Sequence, residues 1–416
     1  MQELTLEIIR EAVKGTAAAF RCRRRLQPAG GPGDKVFPPT FAGAVYAVEK
    51  RRIPGRAEPV PCVLLDSVQS QANRMELALQ EAVDAGRLKL PLVVVDFSEF
   101  DPTGDIEADE AAGRLIEKVG RITSLQVPHR LADAILRDSE IGGVKFRRSE
   151  RGKALNTVSL GNATPLFELC PTALVFGMWD STGPKGGLGP KFERAIVSEI
   201  VGIGVEVGDL RRGVRRDPLE ISKDVLVFRD KDKSLLRVAE GRENGAVRPS
   251  EINHSSVPFP EQRDRKTEAN YYNGVTIEYA EQTTTLSLIC LRRLRFPLEG
   301  KVDPDVDVAA RTTLAALGLT AATLAFEAGT DLRSRCLLWP DGPMVWELLD
   351  RPGEDPKQFS LTGDAAVALL NGTVENARKL GLPWPEEPVV LKPAAELVKL
   401  VRLSQLEAAK ETVGVS

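Results

Sequence analysis

The stretch TAAAFRCRRRLQ at 16–27 alternates in parity: Phe20, Cys22, Arg24 and Leu26 share one, Arg21, Arg23 and Arg25 the other. A period of two belongs to a strand, which sends those three arginines to one face. Residues 1–14 read as a short helix before it, and a Gly/Pro-rich loop, AGGPGDKVFPPTF at 29–41, follows. A short apolar strand at 62–66 leads into a helix over about 67–85, and PLVVVDFS at 91–98 is a buried strand. Two helical stretches in 107–138 break near Pro128. Strands are predicted at 143–147 and 164–177, a glycine-rich loop at 183–190, a helix over 191–201, and strands at 203–207 and 225–229. The segment GVTIEYAEQTTTLSLICLRRLRF at 274–296 is the strongest β signal, rich in Thr, Ile, Val and Leu. Beyond it the texture turns helical, at 305–328, 363–380 and 393–411.

The order strand, helix, strands, helix, strand over 16–296 predicts an α+β fold of the RRM or ferredoxin type, heavily decorated. The stretch 208–270 is charged and poor in apolar runs, and reads as a projecting hairpin or a loop. The predicted organisation is a core with insertions over 1–300 and a helical C-terminal extension over 301–416. The stretch at 309–328 is apolar but carries Arg311, several Thr and Glu327, which makes it a core helix and not a membrane span.

Over 416 residues, 56 basic side chains face 59 acidic ones, a net of −3. That excludes a polybasic protein that condenses nucleic acid by overall charge, but leaves room for a local basic groove. Residues 301–416 hold 12 basic and 17 acidic side chains, so the basic charge lies in the α/β part. Only His129 and His254 occur, which excludes an HExxH or multi-His metal centre. Five cysteines stand singly without a CxxC, as buried thiols of a reducing cytoplasm do. The N-terminus lacks the apolar core of a signal peptide. No Walker A loop, dinucleotide fingerprint or GxSxG elbow is present, and neither a cofactor nor a catalytic residue is predicted.

Two segments carry the chemistry. In LLDSVQSQANRMELALQEA (64–82), Val68, Ala72, Met75 and Leu79 make an apolar stripe. Ser67, Gln71 and Arg74 flank it on one side, and Gln69, Asn73, Glu76 and Gln80 on the other. Amides and hydroxyls supply neutral donors and acceptors, and arginine supplies a fork suited to phosphate. The plain alternative is a solvated amphipathic helix. In FGMWDSTGPKGGLGPKFERAIVSEIVG (176–202), backbone amides of a glycine-rich loop can cradle phosphates, with Lys185, Lys191 and Arg194 adding charge. Trp179 can stack on a base, although a lone aromatic at a strand end is more often core. Basic clusters at 23–25, 50–52, 147–148, 211–216 and 292–295 would space cations along a phosphate track. Asp96, Asp101 and Asp105 follow a strand, where a polar loop competes with a metal site.

The motifs GGPGDKVFPPTF (30–41), LLDSVQSQANRME (64–76), LFELCPTALVFGMWDSTGPKGGLGPKFERAIVSEIVG (166–202) and INHSSVP (252–258) together resemble one family. It is the RAMP-type backbone subunit, of the Cas seven family, of the type I-U (also I-G) CRISPR–Cas surveillance complex, Cascade. The resemblance runs over about 15–300. It implies an RRM-like palm with a thumb-like projection, placed here within 208–270, and a non-catalytic chain. Such subunits polymerise head to tail along CRISPR RNA and present it for pairing with target DNA, beside the large subunit and a RAMP subunit that caps or processes the guide. They involve no membrane. By matched motif, the implied RNA contacts are Ser67, Gln69, Gln71, Asn73 and Arg74, then Ser181, Thr182, Lys185, Lys191 and Arg194. Arg23, Arg24 and Arg25 join them from the basic strand, Trp179 as a stacking group, and His254 from INHSSVP. The competing reading is a RAMP-superfamily endoribonuclease that processes precursor CRISPR RNA through His254 or His129. A third is a metal-dependent hydrolase built on the Asp-rich loop.

Overall fold

The computed structural model describes residues 1–42, 45–181, 183, 186–206, 214–215, 217–222, 224–229, 236–239, 245–252, 254, 257–258 and 274–415. The elements that matter are α1 (Leu6–Lys14), β1 (Ala19–Pro28), β2 (Val48–Arg51), β3 (Val60–Asp66), α2 (Val68–Asp84) and β4 (Val93–Asp96). There follow β5 (Arg121–Thr123), β6 (Ser139–Ile141), β7 (Met178–Trp179), β8 (Lys191–Phe192), β9 (Ile196–Ile203) and β10 (Tyr279–Ser287). Last come α3 (Pro304–Glu327), β11 (Leu337–Pro340), β12 (Trp346–Leu349), β13 (Lys357–Ser360), α4 (Gly363–Lys379), β14 (Val389–Pro393) and α5 (Ala395–Val415).

A ten-stranded sheet runs in the order Gln2–Glu3, β13, β12, β1, β10, β9, β3, β2, with β11 beside the far end of β1 and Thr330–Asp331 paired to β11. At its centre β12, β1, β10 and β9 are all antiparallel neighbours. Helix α2 lies in the chain between β1 and β9, and α3 between β10 and β12. Strand, helix, strand, strand, helix, strand therefore closes in the spatial order fourth, first, third, second. The fold is α+β, as predicted. A second sheet joins Val144–Lys145, β6, β14, β4 and β5.

Alternation in β1 is as the sequence predicts: Phe20, Cys22, Arg24 and Leu26 are buried, and Arg21, Arg23 and Arg25 face outward. Helix α3 packs against α1, α2 and α4. Being enclosed on all sides explains why it is apolar all round. Among the described residues it is the one helix long and apolar enough to cross a membrane, and it is the central core helix. Thr312, Thr313 and Thr320 satisfy their hydroxyls on the carbonyls of Val308, Ala309 and Ala316.

Several expectations change. The stretch 107–138 is not two long helical stretches: it holds β5 between the short helices Ile106–Ala111 and Ala134–Arg137. Residues 191–201 are not a helix but β8 and β9. Their β-branched run, with Ile196, Ser198 and Ile200 inward and Val197 outward, suits a pleated sheet. The run 164–177 is not a strand but the helical turns Thr164–Leu169 and Thr172–Phe176. A continuously apolar run fits either state, and Pro165 at the helix start and Pro171 before the second turn favour helix. Finally, 301–416 is not a helical appendage: β11, β12 and β13 belong to the main sheet, β12 pairing with β1, and β14 pairs parallel with β4. Their short, interrupted runs, such as WELL at 346–349, carry too little periodicity to register as strands. Most of the proposed thumb, 208–270, lies outside the described residues. Its described parts form two small ladders, Val214–Arg215 with Val257–Pro258 and Val227–Arg229 with Leu236–Val238.

Candidate nucleic-acid interface

Helix α2 begins at Ser67, whose Oγ accepts from the Ser70 amide. Ala72, Met75 and Leu79 pack inward as the stripe predicts, but the flanks turn inward too: Gln71, Glu76 and Gln80 are buried. Gln71 donates Nε2 to the buried Asp66 carboxylate at 2.7 Å, while its Oε1 accepts from Ser198 at 2.9 Å and Gln282 at 2.8 Å. Gln71 is thus a cross-link between helix and sheet. Arg74 is committed in the same way. Its Nε meets Asp66 at 3.0 Å, and its two terminal nitrogens reach the carbonyls of Asp331 and Leu332 at 3.4 and 2.8 Å. Arg333 approaches the same carboxylate at 3.5 Å. Of the helix residues predicted to meet RNA, Gln69 and Asn73 are exposed and Ser67 is half-buried at the cap.

Arg23, Arg24 and Arg25 of β1 do not form one patch. Arg24 lies on the helix side, 8% exposed, over the Phe326 ring at 4.9 Å and 3.3 Å from Gln282 Oε1. Burial pushes its guanidinium below the ordinary value. That position cannot meet an RNA strand lying on the outer face, where Arg23 and Arg25 stand. Arg23 is paired with Glu281 at 2.7 Å, and Arg25 lies 3.6 Å from Asp341.

The glycine-rich segment forms a hairpin, β7 against β8, with Trp179 directly opposite Lys191. Trp179 is 52% exposed, and the Lys191 ammonium lies 5.7 Å from its ring centroid. Two ion pairs fix this hairpin, one buried and one part-buried. The first is Arg130 with Glu76 of α2, bidentate at 2.7 and 2.8 Å, while Arg130 also donates to the Gly177 carbonyl at 2.9 Å. The second is Arg147 with Asp180. Gly177 sits at φ +83°, where a Cβ would stand 3.0 Å from the Phe192 carbonyl. A Cβ on Gly189 would overlap the Asp180 carbonyl at 1.8 Å, so the loop folds this tightly only with glycine there.

Arg194 is half-buried just before β9, and its Nη1 has no hydrogen-bond partner among the described residues. Burial, helped by the neighbouring Arg130, pushes its guanidinium down. Ser181 is exposed. Thr182 and Lys185 lie outside the described residues. His254 is half-buried, its backbone N–H donating to the Pro249 carbonyl at 2.9 Å. The segment that supplies Arg147 also exposes Lys145, Arg148, Arg151 and Lys153, none of which forms an ion pair among the described residues. The sequence marks 147–148 as basic but gives no sign that Arg147 would tie this segment to the hairpin.

The Asp-rich loop is occupied by local structure. Asp101 accepts from the amides of Val119 and Gly120, Asp105 caps a helical turn at Ala108, and Asp96 accepts from Ser98 beside Arg121. These carboxylates serve separate turns and do not converge. Among the described residues, no group of three His, Cys, Asp or Glu side chains is placed to hold a metal ion.

No curated protein matches the chain significantly. Residues 20–207 match the model of a family described as CRISPR-associated protein GSU0053 (Cas_GSU0053). The matched stretch, somewhat less than half of the chain, runs from β1 through α2 and the hairpin to just beyond β9. Over that stretch the chain is similar to a CRISPR-associated protein family.

Proposed function

We propose that the chain is a non-catalytic backbone subunit of a type I-U/I-G CRISPR–Cas surveillance complex. It binds CRISPR RNA, polymerises head to tail along it with other copies of itself, and presents it for pairing with target DNA. The family match supports a role in CRISPR–Cas defence and involvement with CRISPR effector complexes. The spatial order β12, β1, β10, β9 supports an RRM-like palm. The observation that carries the binding reading is the exposed Trp179–Lys191 pair on a hairpin anchored by one buried and one part-buried ion pair. An aromatic face accepts any base and a lysine any phosphate, which suits a guide of arbitrary sequence. The five free thiols are in keeping with a cytoplasmic setting.

The test is RNA binding across a salt series. Replacing Lys191 by Ala should flatten the slope of log K against log salt by about 0.7, the value for one lost single-strand phosphate contact, whatever the spacer sequence. A loss that varied with spacer sequence would refute a backbone contact. Incubation with precursor CRISPR RNA tests the processing nuclease: specific cleavage abolished by His254→Ala would overturn the scaffold reading.

A further inference from the structure

The face of the main sheet turned away from the helices holds a group of side chains that neither α2 nor the hairpin explains. Trp339 of β11 stands opposite Gln27 of β1. On the other side of β1, the pairing of Ala280 with Leu26 puts Tyr279 of β10 in the same row. Leu26, Ala280 and Leu338 are buried in one apolar cluster on one face of the sheet, so Gln27, Tyr279 and Trp339 point the opposite way. Trp339 is 70% exposed, more than Trp179. The Arg25 guanidinium lies 4.0 Å from the Tyr279 ring centroid. Tyr279 packs at its other side against Val201 and Ile203, beneath Ile53 and Val60, which holds the row firm at one end. Two strand spacings, about 10 Å, separate the backbones carrying Tyr279 and Trp339.

This face is electrically balanced. Arg21 pairs with Glu347, Arg23 with Glu281 and Arg51 with Glu199, and Arg25 is offset by Asp341. A polyphosphate gains little from such a surface. Stacking needs no net charge: a base can lie on an indole or on a guanidinium–phenol sandwich. We propose that the Tyr279–Arg25–Trp339 row is a second platform, which binds unpaired nucleobases of a single strand through their faces and leaves the phosphates to other parts of the chain. The identity of that strand as RNA rests on the proposed function above.

The experiment uses the full chain, a fluorescent uridine oligomer and an abasic oligomer with the same sugar–phosphate backbone. Trp339→Ala should weaken binding of the base-containing oligomer by about 5- to 150-fold, without changing the salt slope. Trp339→Phe should retain most of the affinity, and Trp339→Ala should bind the abasic oligomer as the native chain does. If Trp339→Ala binds uridine oligomer normally while Trp179→Ala does not, the platform is refuted and the hairpin reading stands. If the native chain binds neither oligomer, both fail. If Trp339→Ala keeps its RNA affinity but changes its sedimentation coefficient, the face belongs to a protein partner and the platform is overturned.

Discussion

Replacing Arg130 by Met removes the cation from a buried pair whose members are 7% and 4% exposed. The two contacts at 2.7 and 2.8 Å are lost, and the Glu76 carboxylate stays in the core between α2 and the hairpin. Leaving one partner of such a pair costs about 3–5 kcal/mol, whereas replacing both with apolar groups costs far less. Loss of the bond to the Gly177 carbonyl adds about 1 kcal/mol to either variant. The expectation is about 4–6 kcal/mol for Arg130→Met, and about 1–2 kcal/mol for Glu76→Met with Arg130→Met. Denaturant unfolding of both single variants and the double variant measures the coupling. The pH dependence has a definite sign. Burial already pushes the Glu76 carboxyl above its ordinary value of 4.5, and Arg130 opposes that shift. Without Arg130 the folded state holds the Glu76 proton more tightly than the unfolded state does. The variant is then least impaired below about pH 4.5 and loses stability as pH rises through the folded value. A single-variant cost below about 1 kcal/mol, or a loss that does not change with pH, would refute the view that this pair is the hairpin's anchor.

Arg74→Ala should destabilise the chain by about 1–3 kcal/mol, because Asp66 loses one of its donors and two loop carbonyls lose theirs; it should leave the salt slope of RNA binding unchanged. A flattened slope would restore Arg74 as a phosphate contact. Gly189→Ala should displace the hairpin loop, since its Cβ meets the Asp180 carbonyl, lowering RNA affinity while the main sheet keeps its unfolding midpoint. A structure of that variant with the loop unmoved would contradict it. Burial pushes the Cys22 thiol up to about 12 and raises Cys170. In the native state, half-buried Cys290 should therefore react first with a thiol reagent at pH 8, and the buried four only on unfolding. The stability Cys22 contributes is present below its ordinary value of 9.0 and lost as pH rises from there toward 12, which an alkaline titration of the unfolding midpoint measures.

Much of the fold was legible because its signals are local. Alternation in 19–28, the stripe of α2 and the apolar length of α3 each state their own element. What was not legible is pairing between distant segments. Nothing in WELL at 346–349 announces that it lies against β1, and the apolar run at 164–177 fits strand or helix until its prolines are weighed. The site divides in the same way. An exposed Trp179 beside Lys191 follows once the loop is a hairpin, but Gln71 and Arg74, polar residues flanking an apolar stripe, look available from sequence and are spent inside the protein. What captures them is Asp66, the last residue of the preceding strand, which is 1% exposed and must be satisfied by donors from nearby.

The position of β12 has a consequence for how the chain is made. Strand β1 is flanked by β10 on one edge and β12 on the other, so its neighbours leave the ribosome roughly 250 and 320 residues after it. At about 5–20 residues per second, β1 stays without its full set of partners for some 15–60 seconds of synthesis. For most of that interval Phe20 and Cys22 of its apolar side lack the α3 residues that share their core. Assembly of the main sheet therefore comes late in synthesis, and a nascent chain stalled before residue 346 would be a client for chaperones and not a smaller working protein.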